Sequence, residues 1–300
     1  MPSPLAAIAV DLGKSRCRVV VDSAGGVIRD GVGAPGLAAS GGVDAALAAI
    51  LPLVSDLDMS SIGVVGVGAA GAWTAPEAAS DLARRLVAEL GIPVVVASDV
   101  VTAHIGALDG GEGVLLIAGT GAAALGIDAG AARLVDGWGP ELGDFGSGSW
   151  LGREALRAVL RTADGLAPET ALTRVLAEPI GSASDVGGWL AQSGSLPRRL
   201  ATLAPLVLDA AAAGDPTAAA IVAEGLRLLT MTAVGASART RDVAVHGGLT
   251  HHSWFRDALE SSLHAAGRRV VSAHGDALDG ARMLARRTDL PHERFVHRAE

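Results

Sequence analysis

The sequence predicts an α/β protein built from two related units, and three observations predict it. Short apolar, β-branched runs alternate with amphipathic helical ones. VVVDSAGGVIRDG (19–31) and LGIDAGAARLVDG (125–137) share one pattern: strand, small-residue turn, short strand, Asp-Gly. Each is entered through an apolar strand and a glycine turn, IAVDLGKS (8–15) and VLLIAGTG (114–121). Self-similarity of this kind marks two copies of one supersecondary unit.

The elements follow in order. IAVDL and CRVVVD read as strands joined by a tight turn, and SAGG as a second turn before VIRDG. IGVVGVGAAG (62–71) and IPVVVAS (92–98) are apolar throughout, as buried strands are. Between them PEAASDLARRLVAEL (76–90) places Leu82, Leu86 and Leu90 four apart on one face, with Gly91 and Pro93 as the stop. Asp99 opens the helix VVTAHIGAL. Further helices are expected at SGSWLGREALRAVLRTA (147–163), TAAAIVAEGLRLLTMTAVGASAR (217–239) and DALDGARMLARR (276–287), and a strand with a glycine turn at DVAVHGGLT (242–250). DGLAPE, AQSGSLPRR and AAAGDPT read as loops.

Composition narrows the function classes. Half of the 300 residues are hydrophobic but only 3% are aromatic, so Ala, Val and Gly fill the core. A formal charge of -8 without a basic run argues against a nucleic-acid partner. One cysteine, Cys17, excludes a disulfide framework or a cysteine-ligated zinc site within the chain; it is expected to be a small strand residue. The opening MPSPLAAIAVD lacks a basic n-region, and the longest uncharged run, MSSIGVVGVGAAGAWTAP, is broken by glycines. A soluble cytoplasmic protein with no membrane partner is expected. The eight histidines form no ligand pattern, and His251, His252, His292 and His297 are expected in solvent.

Gly13-Lys14-Ser15 looks like the end of a nucleotide-binding P-loop, and Lys14 is the only lysine in the chain. The P-loop pattern requires a glycine at position 8, where Ile8 stands, and a helix after the loop, where CRVVVD is strand-like. The context is a β-hairpin. Its turn can still aim backbone N–H groups at an anion. Ser15 can donate to a phosphate oxygen, Lys14 offers a point charge, and Asp11 is a candidate Mg²⁺ carboxylate. An ordinary hairpin with a polar tip remains the alternative.

The segment GWGPELGDFGSGSWLGREAL (137–156) resembles a signature of the N-acetylglucosamine kinase and BadF-type ATPase family, within the actin–sugar kinase–Hsp70 superfamily. The likeness extends over essentially the whole chain and is greatest to actinobacterial glucosamine kinases. It implies two RNase H-like (actin-like ATPase) domains with mixed five-stranded sheets flanked by helices, and an active site in the interdomain cleft. The first domain is placed at 1–108 plus 283–300, the second at 109–282. The implied activity is ATP-dependent phosphorylation of the 6-hydroxyl of glucosamine. The alternatives are an N-acetylglucosamine kinase or a BadF-type activator or sensor with no sugar acceptor. ATP and Mg²⁺ are the implied cofactors, an amino sugar the partner, and a homodimer through the C-terminal domain the assembly.

The resemblance also assigns residues. Asp99, at the end of a strand, is the expected base, compatible with a second role as a helix cap. Gly13, Lys14 and Ser15, then Gly119, Thr120 and Gly121, are expected at the phosphates, with Thr120 also near the acceptor. Gly214, Asp215, Gly247 and Gly248 are expected near the adenosine. Gly71, Gly137, Trp138, Gly139 and Asp144 are expected on the sugar side, with a core position the alternative for Trp138. Asp11 and Asp144 are the expected metal carboxylates. Three departures stand out: Leu12 and Lys14 in a turn usually richer in glycine, Ala122 where a serine is common, and Phe145 where the family often has glutamate. Glu141 is the nearby carboxylate that could substitute for the last. An activator of the BadF type holds an iron–sulfur cluster on cysteines and a ROK glucokinase a cysteine-rich zinc motif, and one cysteine suits neither.

Overall fold

The computed structural model describes residues 5–22 and 28–300; the predicted SAGG turn lies outside them. The chain forms two compact units. The first holds the residues up to Glu112, Ile127–Ala132 and Ser272–Glu300, and the second holds Gly113–Gly126 and Arg133–Val271. The chain therefore returns to the first unit at Ser272 rather than at 283.

The first unit contains β1 (Ala6–Leu12), β2 (Arg16–Val21), β3 (Ile28–Val32), α1 (Gly42–Val54), β4 (Ile62–Ala69), α2 (Pro76–Leu90), β5 (Val94–Ser98) and α3 (Asp99–Ala107). The second contains β6 (Gly113–Ala118), β7 (Ala122–Asp128), β8 (Ala131–Asp136), α4 (Gly148–Ala163), α5 (Ala171–Val175), α6 (Ala177–Ile180), α7 (Val186–Leu190), α8 (Leu196–Thr202), α9 (Ala204–Ala212), α10 (Pro216–Ala236), β9 (Asp242–His246), α11 (Ser253–Ala265) and β10 (Arg269–Val271). The chain ends in the first unit with α12 (Ala277–Arg286) and β11 (His297–Ala299).

The sheet of the first unit has six strands, in the order β11-β5-β4-β1-β2-β3, not the expected five. The extra strand is β11, which pairs antiparallel with β5 along the edge the chain would otherwise leave open. β1, β4 and β5 are parallel, and their registers align Leu12, Ala69 and Ser98 in one row. The second sheet has the expected five strands, in the order β10-β9-β6-β7-β8, with β10, β9 and β6 parallel.

Glycines set the closest approaches between layers. A Cβ on Gly280 of α12 would lie 1.8 Å from the carbonyl oxygen of Thr102, and one on Gly106 of α3 would lie 1.9 Å from that of Asp276. The two helices therefore meet backbone to backbone. The capping box of Asp276 and Asp279 starts α12 at this contact. α2 ends as predicted, with Gly91 in the left-handed region at φ 69.

Several elements were not legible. α1 contains Pro52, and its apolar residues carry no clear helical period. In AQSGSLPRR, read as a loop, α8 begins at Leu196 with Pro197 in its first turn, where proline's missing N–H costs nothing. α10 is long and apolar enough to span a membrane by length and composition, and it packs Ala218, Val222, Leu229 and Ala233 into the core of the second unit.

Candidate active site

Parallel strands end together, so the loops after β1, β4 and β5 emerge from one edge of the first sheet. Those loops hold Gly13-Lys14-Ser15, Gly71 and Asp99. Gly13 closes the first turn by donating its N–H to the carbonyl of Arg16 (3.0 Å) and accepting at its own carbonyl from Ala34 (3.2 Å). Lys14 and Ser15 are exposed at its tip. Gly33 seals the turn from beneath: a Cβ there would stand 2.3 Å from the Gly13 oxygen. Gly71 sits at φ 81, where a side chain would meet the backbone N of Leu37 at 2.8 Å.

Asp99 is the first residue of α3, behind Ser98. Its Oδ1 accepts from the Ser98 hydroxyl (3.0 Å) and from the Val100 N–H (2.9 Å). Asp99 does not take the expected cap role: Ser98 is the N-cap of α3 and makes no side-chain capping bond, while Asp99 stands in the first turn with only Oδ1 committed. Burial pushes its carboxyl up, against the two hydrogen bonds; the Asp11 charge pushes the same way and Lys14 opposes it. A carboxyl held up by desolvation at a strand's C-terminal end is what a general base requires.

Asp11 is not a free metal carboxylate. Arg18 donates to its Oδ2 from Nε (3.1 Å) and Nη2 (2.8 Å), and from Nη1 to Oδ2 of Asp276 (2.8 Å). One guanidinium thus ties the end of β1, beside the 13–15 turn, to the cap of α12. No sequence motif marks Arg18; only the antiparallel register of Asp11 against Arg18 places them side by side.

In the second unit the turn Gly119-Thr120-Gly121 joins β6 to β7, closed by Gly119 N–H to Gly121 O (3.0 Å). The first amides of α4, Gly148 and Ser149, donate to the carbonyls of Gly119 (2.8 Å) and Thr120 (3.2 Å). Gly247, at φ 121, lies so close that a Cβ would meet Ala118 O at 2.4 Å, and Gly248 N is 3.8 Å from the Cβ position of Gly119. Two segments predicted separately are thus neighbours, at the ends of the paired strands β6 and β9. Asp144 accepts from the Ala122 N–H (3.2 Å), and its carboxylate lies over Gly121, leaving 3.0 Å to a Cβ there.

Other predicted residues are placed differently. Asp215 caps α10, accepting from Ala218 N–H (2.8 Å), and also takes the Ala171 N–H (2.7 Å) and Thr170 hydroxyl (2.9 Å). Partial burial raises its carboxyl, and these donors outweigh that and hold it low. Its carboxylate is fully used in the fold, and Gly214, at φ 89, is the turn before the cap. Trp138 is 74% exposed, so the core alternative is wrong. Gly137 and Gly139 adopt φ 76 and φ 89, and Glu141 is exposed. Cys17 is buried as expected, and burial, then Asp11 and Asp30, push its thiol up to about 12. His292 is not in solvent: it is fully buried, with Nε2 2.9 Å from Nδ1 of the equally buried His104. His297 is half-buried against Ser80 (2.8 Å), and His252 meets Asp209 (3.1 Å).

The BadF/BadG/BcrA/BcrD ATPase family profile matches residues 10–285. An N-acetyl-D-glucosamine kinase of Dictyostelium discoideum is 36% identical over 121 residues, 39% of this chain and 38% of that protein. A glucosamine kinase of Vibrio cholerae is 26% identical over 194 residues, 64% of each. The chain thus matches less than two thirds of the length of either relative. The solved structure of a candidate N-acetylglucosamine kinase from Chromobacterium violaceum superposes with a TM-score of 0.72 at 27% identity, covering 94% of this chain and 99% of that one. A ROK family glucokinase from Streptomyces griseus, solved with glucose and AMPPNP, has the same fold, with a TM-score of 0.57 at 20% identity over 94% of this chain and 99% of that one. With two α/β units, glycine turns at the ends of parallel strands and a family match across nearly its whole length, the chain belongs to the BadF/BadG/BcrA/BcrD ATPase family.

Proposed function

We propose that this protein is an ATP-dependent amino-sugar kinase that phosphorylates the 6-hydroxyl of glucosamine. The observation that carries the reading is Asp99: a carboxylate at the sheet edge that carries the 13–15 turn, with one oxygen held by the Ser98 hydroxyl and the Val100 N–H and its carboxyl raised by burial. Nucleotide binding alone has no use for such a group. The sugar-kinase relatives support the acceptor class.

Phosphoryl transfer needs alignment, charge neutralisation and a base near the attacking hydroxyl. Asp99 accepts the proton of the sugar hydroxyl. Lys14, Ser15 and the amides of the 13–15 and 119–121 turns hold phosphate oxygens. Gly247 and Gly248 allow the adenosine to approach the backbone. Gly71 and the 137–144 loop meet the sugar, with Glu141 available to a protonated amine at C2.

Magnesium, when bound, neutralises charge on the phosphates. Among the described residues no three His, Cys, Asp or Glu side chains converge. The donor set fits an ion held mainly by phosphate oxygens and water, with a single carboxylate arm. Asp11 would provide that arm, through the oxygen that Arg18 leaves unbound. Cytoplasmic location and homodimer assembly belong to the same proposal.

The test is ADP release with Mg-ATP and glucosamine, N-acetylglucosamine, glucose or no sugar. The reading predicts the highest kcat/KM with glucosamine. Preference for the acetylated sugar, as the Dictyostelium relative's name leads one to consider, keeps the mechanism and changes the pocket. Release indifferent to sugar overturns the kinase and favours a nucleotide-dependent sensor or activator.

A further inference from the structure

The 137–145 loop is held in place by a residue that neither the resemblance nor the proposed mechanism uses. Asp136, the last residue of β8, takes φ 64, in the left-handed region that non-glycine residues rarely occupy. Its carboxylate gathers three backbone amides. Oδ1 accepts from Gly137 (2.8 Å) and Asp144 (2.7 Å), and Oδ2 accepts from Phe145 (2.9 Å). The loop closes tightly around it: a Cβ on Gly143 would stand 2.4 Å from Oδ1. The far side is pinned separately, by Gly139 O accepting from Gly143 (2.7 Å) and Leu142 (3.3 Å), and by Arg153 donating to Pro140 O.

Three charge-assisted bonds to one carboxylate offset the cost of its strained backbone. The consequence reaches the phosphate turn. Asp136 fixes the backbone N–H of Asp144, and the Asp144 side chain in turn accepts from Ala122 beside Gly119–Gly121. It also fixes what the loop presents: Trp138, Leu142 and Phe145 are 74%, 78% and 42% exposed, although all three are large and apolar. Where the family often carries glutamate at 145 this chain has Phe145, and the carboxylate organising the loop enters from Asp136.

We propose that Asp136 is a positioning residue for the acceptor, seating the 137–145 loop and, through Asp144, registering it against the 119–121 turn. The acceptor part of this claim rests on the sugar-kinase reading; the hold on the loop does not. Two variants separate strain from bonding. Asp136→Gly keeps the backbone conformation and removes the carboxylate. Asp136→Asn keeps an acceptor at Oδ1 and sets an NH₂ against the Phe145 N–H.

The expected result is a kcat/KM for the acceptor lowered about 100-fold in Asp136→Gly, the penalty of about 1 Å of misplacement, and about tenfold in Asp136→Asn. The KM for Mg-ATP should rise by less than the acceptor loss, through Asp144, and the melting temperature should stay near wild type. Amide hydrogen exchange should accelerate at residues 137–145 and remain slow in β6. Unchanged exchange in that loop in both variants overturns the proposal, as does equal loss of ATP and acceptor affinity, the mark of a merely structural residue. If wild-type protein shows no sugar-dependent turnover the kinase reading fails, and the exchange measurement alone decides whether Asp136 holds the loop.

Discussion

At the scale of the residue, the proposed reaction turns on Asp99, and Arg18 is what fixes Asp11. A base works only when ionised, and burial holds the Asp99 carboxyl up, so kcat/KM should fall as pH drops through that raised value. The acid limb is therefore expected above the ordinary aspartate range of about 4. Asp99→Asn should lower kcat by about 10²–10⁴-fold, removing the limb while leaving ATP affinity intact; isothermal titration with AMPPNP beside a pH–rate profile checks both. Arg18→Met frees Asp11 and Asp276 together. The expected cost is about 1–2 kcal/mol of stability, discounted because the triad is partly exposed, with a weaker enhancement of AMPPNP binding by Mg²⁺. Arg18→Lys should not restore it, since an ammonium cannot bridge two carboxylates in the guanidinium's fork geometry.

At the scale of the element, α3 is both the platform of the proposed base, Asp99, and the partner of α12. Gly106 and Gly280 let these helices touch backbone to backbone, leaving no space for a methyl group. Gly280→Ala should push them apart at a cost of about 1–3 kcal/mol, seen as a lower urea midpoint. It should also lower kcat, because α3 begins with Asp99. Gly248→Ala, where a Cβ meets nothing within 4 Å, is the matched control and should change stability little. α2, β4 and β5 were legible because a helical stripe or a run of β-branched residues names its own period. α5 to α8 were not, because helices of four to seven residues are too short to display one.

At the scale of the whole molecule, the buried histidine pair sets how the fold responds to acid. Burial, then the neighbouring His104, push His292 down from 6.5 to about 3. Between those values the unfolded chain binds a proton that the native state excludes, so stability rises with pH across this window and falls as the solution is acidified below 6.5. The expected loss is about 2 kcal/mol between pH 6.5 and 5, measured by urea unfolding at both values. His292→Gln should narrow that difference, whatever it does to stability at neutral pH. His292, expected in solvent, is instead buried together with Leu290 and against His104 of α3.

The sequence by itself determined the α/β class, the two related units, the two glycine turns and the strand-end position of Asp99. Those features are local: periodicity, β-branching and glycine spacing are written in consecutive residues. Only the tertiary structure decided that Asp11 is bound to Arg18 and Asp276, that Gly247 lies against Ala118, that Asp215 is consumed as a helix cap, and that Asp136 governs the loop before α4. Each of these depends on which distant backbone groups strand register and helix packing bring within hydrogen-bond reach, and no window of neighbouring residues contains that information.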